Sequence, residues 1–121
     1  MRDRCVRKQL LAGAAVASLL GCAGTPKPVD QLADSQAALR SAQELGARQV
    51  PSAALELQRA EDNMKQAQDL MAKNDNEKAR WQFERAKADA DLSIAMVRRQ
   101  QAQDDAAKAQ EQLKAVQQQT Q

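Results

Sequence analysis

The sequence predicts an all-α protein. It reads as a small antiparallel helical hairpin or three-helix body with a long C-terminal helix and coiled-coil-like seams. Three observations carry this reading. Ala53, Leu57, Ala60, Met64, Ala67 and Met71 follow 4-3-4-3-4 spacing, which is a heptad seam. No Pro or Gly occurs after Pro51, so nothing forces a break in the long C-terminal stretch. Ala and Gln dominate the composition, with no His, no Tyr, one Phe (Phe83) and one Trp (Trp81). Such a chain forms helices readily but has little aromatic volume to bury. Nearly half of its 43% apolar content is alanine, which contributes little transfer energy per residue. Thin helix–helix seams are therefore expected, in place of a globular interior.

The elements follow in order. Gly24, Pro26 and Pro28 make residues 22–29 a short extended tether. The first helix is expected over residues 30–46, with Asp30 as N-cap and Gly46 as stop. Leu32, Leu39, Ala42 and Leu45 form its apolar stripe. Pro51 disfavours helix at Val50 and suits a first helical turn, so the second helix is expected over residues 51–73. Asn74-Asp75-Asn76 breaks the pattern, and Asn74 with Glu77 resembles a capping box. The third helix is expected from about Asp75 almost to the C-terminus. Its first seam reads Ala79, Phe83, Ala86, Ala90, Ile94 and Val97. A second seam reads Ala102, Ala106, Ala109, Leu113 and Val116. The five-residue step from Val97 to Ala102 moves the stripe around the helix. Residues 30–100 are thus expected to form the helical domain, and residues 101–121 a Gln-rich helical tail that leaves it. The short turn near Asn74 favours an antiparallel pairing of the second and third helices, with Met64 and Phe83 at one level.

The N-terminus carries a different signal. Arg2, Arg4, Arg7 and Lys8 form a basic start, and an apolar run follows from Leu10 to Leu20. That run is about half of the roughly 20 residues a membrane-spanning helix needs. It ends Leu19-Leu20-Gly21-Cys22, which resembles the lipobox of bacterial lipoproteins. The resemblance implies that residues 1–21 are a signal peptide and that the chain is cut before Cys22. The Cys22 thiol would receive a diacylglycerol, and the new amino group would be acylated, palmitate being a typical chain. Leu20 departs mildly, since that position more often holds Ala, Ser or Thr. Two or more acyl chains hold a protein stably on a bilayer. Ala23 follows the cysteine where inner-membrane lipoproteins commonly have Asp, so the resemblance points to the outer membrane, facing the periplasm.

The formal charge is +2, but the first 21 residues alone contribute +3. Residues 22–121 carry 14 basic against 15 acidic residues. That balance gives a nucleic-acid or polyanion partner no support. Cys5 would leave with the signal and Cys22 would be consumed by lipid, which leaves no cysteine for a disulfide or a metal.

The helical stretch itself carries a family resemblance. Ala37-Ala38-Leu39, Gly46-Ala47, Pro51-Ser52-Ala53-Ala54-Leu55, Asn74-Asp75 and Ala88-Asp89-Ala90-Asp91-Leu92 occur in the order found in a bacterial envelope family. That family is the domain of unknown function 4398, and the resemblance covers about residues 30–100. It implies a lipobox joined to a helical module. Some longer relatives are fused to an OmpA-like peptidoglycan-binding domain, which is not read in this sequence. The last lysine is Lys114, so a peptidoglycan link through a C-terminal lysine gains no support either.

No catalytic constellation is read. General acid–base work needs His or carboxylates in a desolvated cleft. Glu61-Asp62 and Asp104-Asp105 are neighbours whose side chains point about 100° apart on a helix, and they read as solvated charges. Asn74-Asp75-Asn76-Glu77 lacks the 12-residue array of a calcium loop. No cofactor or metal is expected. Trp81 lies two residues from Phe83 and faces another side. It either packs on the first helix or contacts a partner. The tail is either a solvated helix or a coiled-coil helix, with Leu113 and Val116 as candidate contacts. The expected function is that of a lipid-anchored envelope protein, not an enzyme, with a structural or interaction role. Its partner would be an unidentified envelope protein or a second copy held by a coiled coil. The alternative is a tetratricopeptide-like peptide-binding module or an envelope assembly factor, although one hairpin is fewer than the three repeats such arrays need.

The lipobox generates a prediction. Cys22→Ser is expected to block lipid attachment and leave an uncleaved or soluble precursor, read by metabolic labelling with a fatty acid and by membrane fractionation. Normal cleavage and labelling of the Ser variant would sink the lipoprotein reading.

Overall fold

The computed structural model describes residues 24–120. The regular elements are α1 (Val29–Glu44), α2 (Pro51–Ala72) and α3 (Asn76–Gln119), with a 3-10 turn at Ala47–Gln49 between α1 and α2. No strand occurs among the described residues. The fold is all-α, with a three-helix body and a long C-terminal helix.

The packing follows the heptads. On α2, Ala53, Leu57, Ala60, Met64 and Ala67 are buried, and Met71 is half-buried against them. On α3 the buried set is Ala79, Phe83, Ala86, Ala90, Ser93 and Val97, again at 4-3-4-3-4 spacing. The sequence reading placed Ile94 in this seam; the structure buries Ser93 and leaves Ile94 partly buried. The reason is geometric. Position 93 continues the heptad from Ala90 to Val97, and a serine fits there because its hydroxyl donates to the Ala53 carbonyl oxygen at 2.8 Å. Met64 and Phe83 are both buried, at mirror positions about the turn.

α1 runs parallel to α3 and antiparallel to α2. Its start is tied to the start of α3, where Asn76 Nδ2 donates to the Thr25 carbonyl oxygen at 2.7 Å. Its other end lines a groove with Val97 and Gln101. Its buried residues are Ser35, Ala38, Leu39 and Ala42, while Leu32 and Leu45 of the expected stripe are only partly buried. Ser35 is accommodated by donating to the Gln31 and Leu32 carbonyl oxygens.

The helix ends differ from the expected caps. Asp30 does not cap α1. The helix begins one residue earlier, after Pro28, and Asp30 sits in the first turn, where a carboxylate still favours the helix dipole. Asn74 does not open a capping box. It adopts φ 60°, a left-handed conformation that closes α2. The Asp75 amide donates to the Leu70 carbonyl oxygen and the Asn74 amide to that of Met71, which is a Schellman closure. An N-cap needs extended backbone, so Asn74 cannot serve both ends. Gly46 terminates α1 at φ 79°, where a side chain would be strained. Pro51 occupies the first turn of α2 as expected.

Val97 is the last buried residue of α3, and every described residue from Arg98 to Thr120 is exposed. The 44-residue helix is about 66 Å long at 1.5 Å per residue, and its projecting part is about 33 Å.

Two substitutions are expected to separate seam from surface. Phe83 is fully buried, so Phe83→Ala should destabilise the body by about 3–5 kcal/mol. Glu61 pairs with Arg48 at an exposed site, so Glu61→Gln should change stability by less than about 1 kcal/mol. Melting followed by circular dichroism at 222 nm reads both, and equal transitions for the two variants contradict the seam.

Candidate functional site

The chemistry-bearing side chains are spread over the surface in local ion pairs. Lys78 donates a hydrogen bond to Asp75 at 2.7 Å, which holds the Asp75 carboxyl below its ordinary range and raises the Lys78 ammonium. Lys87 is raised in the same way by Asp91 at 2.6 Å. Each pair lies within one helical turn and braces the helix start or its exposed face. Asp104 borders the groove near Gly46 and Asp62 a polar hollow with Arg59, Arg85 and Asp89, but in neither case does the neighbouring carboxylate, Asp105 or Glu61, line the same hollow. Among the described residues no three His, Cys, Asp or Glu side chains cluster to hold a metal ion. Asn74 and Asp75 lie in the turn between α2 and α3, and Asn76 and Glu77 open α3.

The two long helices close against each other on one side through a polar ladder. Gln82 Nε2 donates to Gln66 Oε1 at 2.6 Å and to Asn63 Oδ1 at 3.1 Å, and Asn63 Nδ2 donates to Asp89 Oδ2 at 2.7 Å. Arg59 pairs with the nearly buried Glu56 farther along α2. A hydrogen-bonded ladder between α2 and α3 leaves no apolar trough on that side for a peptide. Sequence reasoning missed it, because polar residues at 63, 66, 82 and 89 on two separate helices do not reveal that they meet.

The exposed apolar groups lie elsewhere. Trp81 is 55% exposed, and the Arg80 guanidinium carbon stands 4.8 Å from its ring centroid. That cation–π contact is worth about 0.5–1 kcal/mol at an exposed site and covers only part of the ring. Of the two readings for Trp81, packing under α1 is not realised. Leu113 and Val116 are 59% and 57% exposed on the projecting helix. Leu92, which sequence reasoning did not single out, is 45% exposed on the same helix. Its place in the Ala88–Leu92 run suggested a helix signature, and nothing in that run distinguished the outward side. No helix among the described residues is long and apolar enough to cross a membrane. Leu19, Leu20, Gly21 and Cys22 lie outside the described residues.

A family profile described as Domain of unknown function (DUF4398) matches residues 30–109, more than half of the chain. The chain belongs to this family. The match begins at α1 and runs past Val97 into the projecting part of α3, so the family module includes the root of the tail. No curated protein and no solved structure matches the chain.

Trp81 gives this surface a direct readout, because it is the sole tryptophan. In the monomeric chain its fluorescence is expected to be red-shifted and strongly quenched by acrylamide. A blue-shifted, protected emission in monomer would contradict the exposed placement.

Proposed function

We propose that this DUF4398 protein is a lipid-anchored cell-envelope protein with a structural or protein-interaction role. Lipid on Cys22 fixes one end, at the outer membrane and facing the periplasm. The three-helix body stands on a short lead whose last residues are tied to the start of α3. The projecting half of α3 presents an apolar stripe to another helix. One observation carries the reading: Ala102, Ala106, Ala109, Leu113 and Val116 form a heptad stripe on a helix with every side exposed. A helix of that kind gains by packing on another helix.

A tetratricopeptide-like peptide-binding module or an assembly factor remains the other reading. The polar ladder between α2 and α3 gives a peptide little apolar surface, so the presented-helix reading has more support. No catalytic role is proposed.

The test is truncation after Gln100, with photocrosslinking in living cells from position 81 in both chains and from position 113 in the full chain. The shortened protein is expected to keep the melting temperature of the body within a few degrees, since no residue of the tail is buried. It should lose crosslinks that the full chain forms. A large drop in body stability, or identical crosslinks with and without the tail, would overturn the presented-helix mechanism.

A further inference from the structure

The stripe on the projecting helix does not stop at Ala102. Followed backwards at the same 3-4 spacing it passes Arg99, Ala95, Leu92, Ala88, Arg85 and Trp81, all exposed. α3 therefore carries two heptad seams. The inner one holds α1 and α2. The outer one runs on the opposite face from Trp81 to Val116, over about 53 Å. We propose that this outer seam joins two copies of the chain as an antiparallel coiled-coil dimer.

Charge complementarity selects the occupant and the direction. A parallel, in-register pair would set Arg85 on Arg85 and Arg99 on Arg99 in the core, and would flank them with Glu84 facing Asp89. Like charges so placed are destabilising. Antiparallel registers can shift only by whole heptads. Two registers each pair ten of the eleven stripe residues. One of them sets Leu92 on Ala109 of the second copy and Ala88 on Leu113 of the second copy, with Trp81 beside Thr120 of the second copy. Large residues then meet small ones, as close helix packing requires. In that register Arg98 flanks Asp105 of the second copy, twice by symmetry. Asp91 and Glu84 meet glutamines, at 112 and 119 of the second copy. Moving one heptad either way sets Asp91 against Asp105, or Asp105 against itself. Arg98 forms no ion pair among the described residues of its own chain, and its charge is left for that contact. Arg85 and Arg99 lie over Val116 and Ala102 of the second copy, where their stems pack and their guanidinium groups reach water.

The inference deepens the presented-helix reading by naming the partner. The test uses the full chain in mild detergent with Cys5→Ser and Cys22→Ser, which removes the native thiols. Sedimentation equilibrium is expected to give twice the chain mass, falling to one chain mass with Leu113→Asp at unchanged melting temperature. Leu92→Cys and Ala109→Cys chains are expected to form a disulfide on copper-catalysed oxidation only when mixed. A monomer at all concentrations, or a dimer that Leu113→Asp does not disturb, overturns the proposal. So does a disulfide in the Leu92→Cys chain alone, which would mean parallel alignment. A monomer whose crosslinks still depend on the tail would refute the second copy as partner and leave the presented helix standing.

Discussion

Everything in the body depends on how closely α2 and α3 approach. Ala53, Ala60 and Ala67 on one helix and Ala79, Ala86 and Ala90 on the other are all fully buried. Alanine at a helix contact draws the axes toward the short end of the roughly 8–10 Å range. The hydrogen bond from Ser93 to the Ala53 carbonyl oxygen, 40 residues away in sequence, forms because the two backbones are that close. Close approach also concentrates the stabilisation. Each buried alanine removes little apolar area from water, so Phe83, Leu57 and Val97 carry a disproportionate share. A small alanine seam of this kind is specific in geometry and sparse in energy.

Two backbone positions hold that seam in register. Gly46 and Asn74, both left-handed, lie two residues beyond the ends of α1 and α2; Asn74 leads straight into α3, and Gly46 into the 3-10 turn before α2. A longer connection at either place would let the heptads slip. The short lead before α1 adds a third tie, since Thr25 is bonded to Asn76 at the start of α3. Both ends of the hairpin are thereby closed, and α1 is clamped along it.

Much of this was legible in the sequence because the signals were strong and local. Pro51 and Gly46 mark backbone conformations few residues can replace, and the α2 heptad repeats without interruption. What stayed hidden depended on tertiary context. Ser93 was passed over for Ile94 because hydrophobicity outweighed spacing, although the 4-3 rhythm from Ala90 to Val97 points to position 93. Asn74 was read as an N-cap because Asn suits both a cap and a left-handed closure, and only the chain direction after Leu70 decides between them. The polar ladder was invisible because four polar residues on two helices do not reveal that they face one another. The outer face of α3 was legible only in its tail half. Arg85 and Arg99 interrupt the stripe on the body, and a charged residue at a seam position hides a heptad from any count of apolar residues.

If the chain is anchored and paired as proposed, the two faces of α3 constrain how it would sit on a membrane. Each chain enters its body beside Asn76, at the end of α3 away from the tail. In an antiparallel pair overlapping from Trp81 to Thr120, the two entry points lie at opposite ends of the rod, about 70 Å apart at 1.5 Å per residue. If both Cys22 anchors sit in one bilayer, the rod must lie along the surface. It then tethers two lipid sites at a fixed spacing. A single chain anchored alone would instead stand free, with its tail unpaired. Confinement to a surface raises the effective concentration of copies, which favours the paired state for a seam as alanine-rich as this one. On the proposed anchoring and pairing, anchor and seam would act together: the weaker the outer stripe, the more the pairing would depend on the lipid that brings the copies side by side.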